Sequence, residues 1–125
     1  MKILIKNGRV VDPANKIDAN MDILIEEGAI SEVSKNIKAP GAEIIEAKGM
    51  IAAPGLIDMH CHLREPGRED EETLLTASRA AVKGGFTSVC AMPNTTPACD
   101  NQSVVGFIMS EGKRIGLCNI YVVGT

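Results

Sequence analysis

Two histidines stand two residues apart in the stretch Asp58-Met59-His60-Cys61-His62-Leu63-Arg64-Glu65-Pro66-Gly67, and the chain has no others. Side chains alternate along a strand. His60 and His62 therefore share one face with Leu56 and Asp58, and Ile57, Met59, Cys61 and Leu63 line the opposite, apolar face. Neutral imidazoles so placed can bind a single zinc or similar divalent ion together. The plainer alternative is two hydrogen-bonded histidines that merely sit near each other. Asp58 either orients a ligand histidine or is an ordinary buried acceptor. Cys61 points to the apolar face and reads as core. Arg64, just past the strand, carries a planar fork that grips carboxylates with two parallel hydrogen bonds. Its plainer reading is a surface arginine paired with Glu65 or Asp70. Asn94 follows Pro93 at the same end of the next strand, where its amide could reach the same ligand or simply form a turn. Residue chemistry leaves both open.

A strand must carry these histidines, and the pattern after Pro54-Gly55 predicts one over Leu56 to Leu63. Acidic residues Glu69 to Glu72 then open a helix at its positive end. In that helix Leu74, Ala77 and Ala81 form one apolar row, and Leu75 and Val82 a second. Gly84 is the expected left-handed stop. Phe86 to Met92 is a second strand. Asp100 or Asn101 caps a second helix in which Val104, Val105, Ile108 and Met109 share a face, and Cys118 to Val123 is a third strand. Alternation of this kind implies parallel strands with crossover helices, an architecture whose active sites lie at the C-terminal strand ends.

Residues 1–53 differ in character. Short β-type runs are separated by turn signals: Lys2 to Lys6, a hairpin at Asn7-Gly8, then Arg9 to Val11; Asp22 to Glu26, a turn at Glu27-Gly28, then Ala29 to Val33; and Glu43 to Ala47 with Met50 to Ala52. The half-polar runs suit a small antiparallel sheet or sandwich layer with one wet face. The division expected is a β-sandwich segment over 1–53 and a second region over 54–125.

Composition narrows the function classes. The 125 residues include 13 basic and 16 acidic ones, a formal net charge of −3, with 45% apolar and 23% charged residues, which excludes wholesale disorder. A mildly acidic chain with only Phe86, Phe107 and Tyr121 as aromatics lacks both the basic stripe and the stacking platform of a nucleic-acid binder. The longest apolar run, Ile51 to Ile57, is broken by Pro54 and Gly55 and falls far short of the ~20 residues of a membrane span. Cys61, Cys90, Cys99 and Cys118 form no C-x-x-C pair and, with no export signal ahead of them, are expected as reduced cytoplasmic thiols.

The run from Pro54 through Gly67 resembles the first-strand signature of the dihydroorotase family in the amidohydrolase superfamily. Gly84-Gly85-Phe86-Thr87 and Met92-Pro93-Asn94-Thr95 match the family's next two stretches in order and spacing. The pair His60-x-His62 is shared with many amidohydrolases; Leu-Arg-Glu-Pro-Gly and Met-Pro-Asn-Thr make the resemblance specific.

The resemblance implies the start of a zinc-dependent (β/α)8 barrel behind a small β-sandwich segment. Such an enzyme holds one or two zinc ions and reversibly cyclises N-carbamoyl-L-aspartate to dihydroorotate in pyrimidine biosynthesis. Carried over by position, His60 and His62 are zinc ligands, and His62, Arg64 and Asn94 bind the small-molecule substrate. The resemblance further implies a cytoplasmic homodimer, with association with aspartate transcarbamoylase as a further expectation. Allantoinase and dihydropyrimidinase are the alternatives within the fold. Their substrates are neutral rings, so a carboxylate clamp at Arg64 favours dihydroorotase. A metal-free dihydroorotase-like subunit that only supports aspartate transcarbamoylase is another alternative, against which both histidines speak. A barrel needs about 250 residues and eight strands. The chain is therefore expected to be an N-terminal fragment, inactive alone, with the remaining ligands and the general acid/base aspartate downstream.

Overall fold

The computed structural model describes residues 1–125, which divide into two compact units, Met1–Pro54 and Gly55–Thr125. In the first unit, β1 (Lys2–Asp12) pairs antiparallel with β2 (Ile17–Glu26), and β2 with β3 (Ala29–Ser34). The free edge of β1 takes β4 (Glu43–Glu46) and β5 (Ile51–Ala52), both parallel to it. The sheet is thus mixed where an antiparallel one was expected. Short half-polar runs do not encode direction; the connection from Lys35 to Ala42 returns the chain to the start of β1.

Asn7-Gly8 makes no hairpin. Strand β1 runs straight through it, and the register steps from Ile5↔Ile23 to Gly8↔Met21, so that Lys6 and Asn7 oppose Asp22 alone. Asn7 is left-handed, φ 62°. The tolerance for positive φ that suits Asn-Gly to a tight turn serves a β-bulge here. Asp22, 3% exposed, accepts the Asn7 N–H at 2.9 Å with one carboxylate oxygen and the Ile37 N–H at 3.0 Å with the other. The β2–β3 turn is as expected, with Glu27 and Gly28 both at positive φ. Leu4, Leu24 and Ile37 form a small core on one face. On the other, Ile5, Val10, Ile17, Ile23 and Ile25 line an open apolar concavity of about 330 Å³. Neither face is simply wet.

The second unit is a parallel sheet in the order β6 (Leu56–Cys61), β7 (Phe86–Ala91), β8 (Asn119–Val122), connected by α1 (Leu74–Lys83) and α2 (Gln102–Ile115). These are parallel strands joined by crossover helices, as the alternation after Pro54-Gly55 predicts, and they fit the start of the (β/α)8 barrel that the family resemblance implies. Gly55 lets β6 begin against β7: a Cβ there would lie 2.2 Å from Thr87 Cγ2. The core joins Leu63, Leu74, Ala77, Val89, Ala91, Val104, Ile108 and Ile120. Neither helix is long and apolar enough to cross a membrane.

Two local expectations are corrected. The acidic run Glu69–Glu72 lies in turns before α1, whose cap is Thr73 in a capping box with Thr76. Gly84 ends α1 with right-handed φ −82°, and the left-handed residue is Gly85 at φ 84°. The second apolar row is open, since Leu75 is 37% and Val82 44% exposed. Met109 is likewise 53% exposed at the margin of its helix face. Asn101 alone caps α2, accepting from Ser103 and Val104 N–H. With Ile108 fully buried, Ile108→Ala is expected to cost about 2–5 kcal/mol. Leu75→Ala should cost well under half of that, a contrast that urea titration followed by circular dichroism measures.

Candidate metal centre

His60 and His62 lie at the C-terminal end of β6, and His62 follows its last residue. The strand is not regular there. Its register with β7 steps from Asp58↔Val89 to Cys61↔Ala91, so that Met59 and His60 together oppose Cys90. Asp58 closes this bulge by accepting the His60 backbone N–H at 3.0 Å. Strict alternation therefore fails over 58–61, and the apolar face is only half built. Cys61 and Leu63 pack into the core, whereas Ile57 and Met59 are 63% and 77% exposed. The two imidazoles nevertheless come together, ring centroids 5.3 Å apart and planes at 72°. Both are exposed.

The loop after β6 is anchored by Leu63, 3% exposed, and turns at Arg64 in a left-handed conformation, φ 65°. A bulky residue seldom adopts that region, and such strain concentrates at functional sites. Arg64 Nε meets Glu71 Oε2 at 3.1 Å, and Glu71 is shared with Arg68. The expected partners differ. Glu65 accepts the Leu74 N–H at 2.7 Å, at the start of α1, where helix geometry favours a carboxylate, and Asp70 pairs with Arg68. Glu71 occupies Nε, which leaves the two Nη groups as the edge a ligand carboxylate can take.

Asn94 arrives from the loop after β7. Met92 N–H donates to Cys61 O and Thr96 N–H to Pro66 O, both at 2.9 Å, so backbone bonds between the two loops flank Asn94. Gly67, at φ 101°, packs onto Thr96, where a Cβ would fall 2.2 Å from Thr96 O. In this setting Asn94 Oδ1 lies 2.9 Å from His62 Nδ1. The structure thus brings His60, His62 and Asn94 together and sets Arg64 on the adjoining turn. Asp58 reaches the backbone of His60 rather than its ring. The Cys61 thiol is pushed up, by burial first and then by Asp58 and Glu72, and its side chain packs against the core.

Two neutral imidazoles are a donor set that suits zinc. With Nδ1 of His62 engaged by Asn94, its Nε2 is free to ligate. No third histidine, cysteine, aspartate or glutamate joins them, and two donors are fewer than the three protein ligands of a catalytic zinc site. Glu71 and Gly67 had no signal in the sequence: one lies in a run that reads as a helix start, the other in a Pro-Gly that reads as a plain turn.

The fold and the strand-end histidines define a class. The chain superposes on an L-hydantoinase (dihydropyrimidinase) from Arthrobacter aurescens with TM-score 0.82 at 22% identity, covering 98% of this chain and 27% of that one. It superposes on a D-hydantoinase with TM-score 0.71 at 26% identity, covering 98% and 26%. A further solved structure, described as an amidohydrolase, superposes with TM-score 0.70 at 27% identity, covering 99% of this chain and 32% of that one. A family profile described as dihydro-orotase-like matches residues 49–122. The chain belongs to the dihydro-orotase-like family. Across its full length it is 50% identical to a dihydroorotase from Trichlorobacter lovleyi and 52% identical to one from Geobacter sulfurreducens. It spans 30% of the length of each of these relatives.

The loop-to-loop tie is testable. Gly67→Ala should part the two loops and lower hydrogen-exchange protection of the Thr96 amide by about tenfold or more, with Val89 in the core unchanged. Equal Thr96 protection in the variant would contradict the tie.

Proposed function

We propose that the complete protein is a dihydroorotase, interconverting N-carbamoyl-L-aspartate and (S)-dihydroorotate in pyrimidine biosynthesis. The observation that carries this reading is the convergence of His60, His62 and Asn94 at adjoining strand ends, in a chain 50% identical throughout to a dihydroorotase. Residues 1–53 belong to its β-sandwich segment and 54–125 to the beginning of its barrel.

In this reading His60 and His62 hold a zinc ion, with further ligands, any second zinc and the acid/base aspartate outside this chain. The metal supplies Lewis acidity at the ring amide. The chain's own residues bind and orient. Arg64, with Nε already taken by Glu71, offers its Nη edge to the substrate carboxylate. Asn94 has its Oδ1 directed at His62 and both amide hydrogens free to donate to the same anion. The left-handed backbone at Arg64 turns the chain back toward α1, which keeps that side chain beside Glu71.

Arg64 separates this reading from allantoinase and dihydropyrimidinase, whose neutral rings give a guanidinium little to grip. An intact histidine pair likewise favours a catalytic protein over a metal-free subunit of aspartate transcarbamoylase. A cytoplasmic homodimer, with contact to aspartate transcarbamoylase, completes the proposal. The 125 residues alone should be inactive, since they offer two ligands where a catalytic zinc needs three from protein.

In the complete protein, Arg64→Lys should raise KM for dihydroorotate about tenfold or more while leaving metal content unchanged. His60→Ala should lose zinc and reduce turnover to near background. Faster wild-type turnover of dihydrouracil or allantoin than of dihydroorotate would sink the assignment.

A further inference from the structure

We infer that Asn94 is a positioning residue for His62: it accepts the Nδ1 proton, fixes that tautomer, and so presents Nε2 for metal ligation. The metal half of this inference rests on the reading under Proposed function; the tautomer half does not.

The geometry is specific. Asn94 Oδ1 lies 2.9 Å from His62 Nδ1, and a carboxamide oxygen can only accept. The shared proton therefore sits on Nδ1, and the lone pair is on Nε2. Metal-binding histidines are oriented in this way by a partner on the second nitrogen. Asn94 is not free to drift. The bonds from Met92 N–H to Cys61 O and from Thr96 N–H to Pro66 O fix the backbone two residues before and two after it. Cys61 directly precedes His62, so the first of these bonds sets the distance between the two side chains. The Cys99 N–H to Pro93 O bond, 2.9 Å, closes the Asn94 loop on itself, and Thr95 is buried beneath it. His60 shows no side-chain hydrogen bond of this kind; Asp58 takes its backbone N–H instead. The two imidazoles are thus unequal before any metal arrives.

The opposite amide orientation makes the opposite claim. With Nδ2 facing the ring, Asn94 would donate to Nδ1, leave the proton on Nε2 and block ligation there.

The test uses the metal-free chain labelled with 15N-histidine at about pH 8.5, where imidazole is neutral. Two histidines give two ring spin systems, and long-range nitrogen–proton correlations identify each tautomer. His62 should be the Nδ1–H form in the wild type and in Asn94→Asp, which retains the acceptor. It should move to the Nε2–H form in Asn94→Ala. Zinc affinity, read by competition with a chromophoric chelator, should fall about 10- to 100-fold in Asn94→Ala and be restored by Asn94→Asp. A wild-type His62 protonated on Nε2, or a tautomer unchanged in an Asn94→Ala protein with a native amide spectrum, would overturn the inference. A normal tautomer switch in a wild type that binds zinc no better than His60→Ala would support the tautomer assignment and reject the metal reading alone.

Discussion

Everything at the candidate centre depends on two backbone loops being held at one separation. Parallel strands deliver their C-terminal ends to the same edge of a sheet, but adjacency of strands does not by itself align the loops that follow. Here the alignment comes from Thr96 N–H on Pro66 O and from the absence of a side chain at Gly67. Together with the bond from Met92 N–H to Cys61 O, that close approach sets residues 62 and 94 side by side although they lie 32 positions apart in sequence. Leu63 on one loop and Cys99 on the other are buried in the core, so each loop is fastened independently before the two are joined.

The second feature is that the start of α1 is shared between helix and site. Glu65 satisfies the Leu74 N–H, Thr73 satisfies Thr76, and Glu71, just ahead of the helix, holds Arg64. Orphan donors at a helix start need acceptors in any case. Supplying one of them from the residue next to Arg64 couples the arginine's turn to a rigid element. Exposed side chains at a site are thereby placed by buried backbone, and the chemistry-bearing atoms need little packing of their own.

Much of this was legible in the residues. The β and α alternation after Gly55, both helix faces in outline, a cap at Asp100 or Asn101 and the histidine pair follow from periodicity and residue type. Less legible were features whose signals are shared by two outcomes. Asn-Gly marks positive φ, which a hairpin and a bulge both use, and only the pairing of Asp22 with Asn7 decides between them. The acidic run before Leu74 suits a helix's positive end, yet the arginines at 64 and 68 claim part of it first. The parallel attachment of β4 and β5 and the bulge at Met59–His60 are register facts, set by contacts between segments far apart in sequence. Asp58 was legible as an acceptor near a histidine, though not as one serving its backbone.

The bulge at Asn7 also bears on how the chain ages. An Asn-Gly pair is the sequence most prone to lose its amide, because the unhindered glycine nitrogen attacks the neighbouring side-chain carbonyl to form a succinimide. In the folded unit that attack lacks its geometry: the Asn7 backbone is pinned by Asp22, and its amide nitrogen is held by both oxygens of Glu46 at 3.0 Å. Succinimide formation then requires local opening of β1. An aspartate or isoaspartate found at position 7 would record time spent with this strand unpaired, a chemical memory of unfolding written into the first unit's sheet.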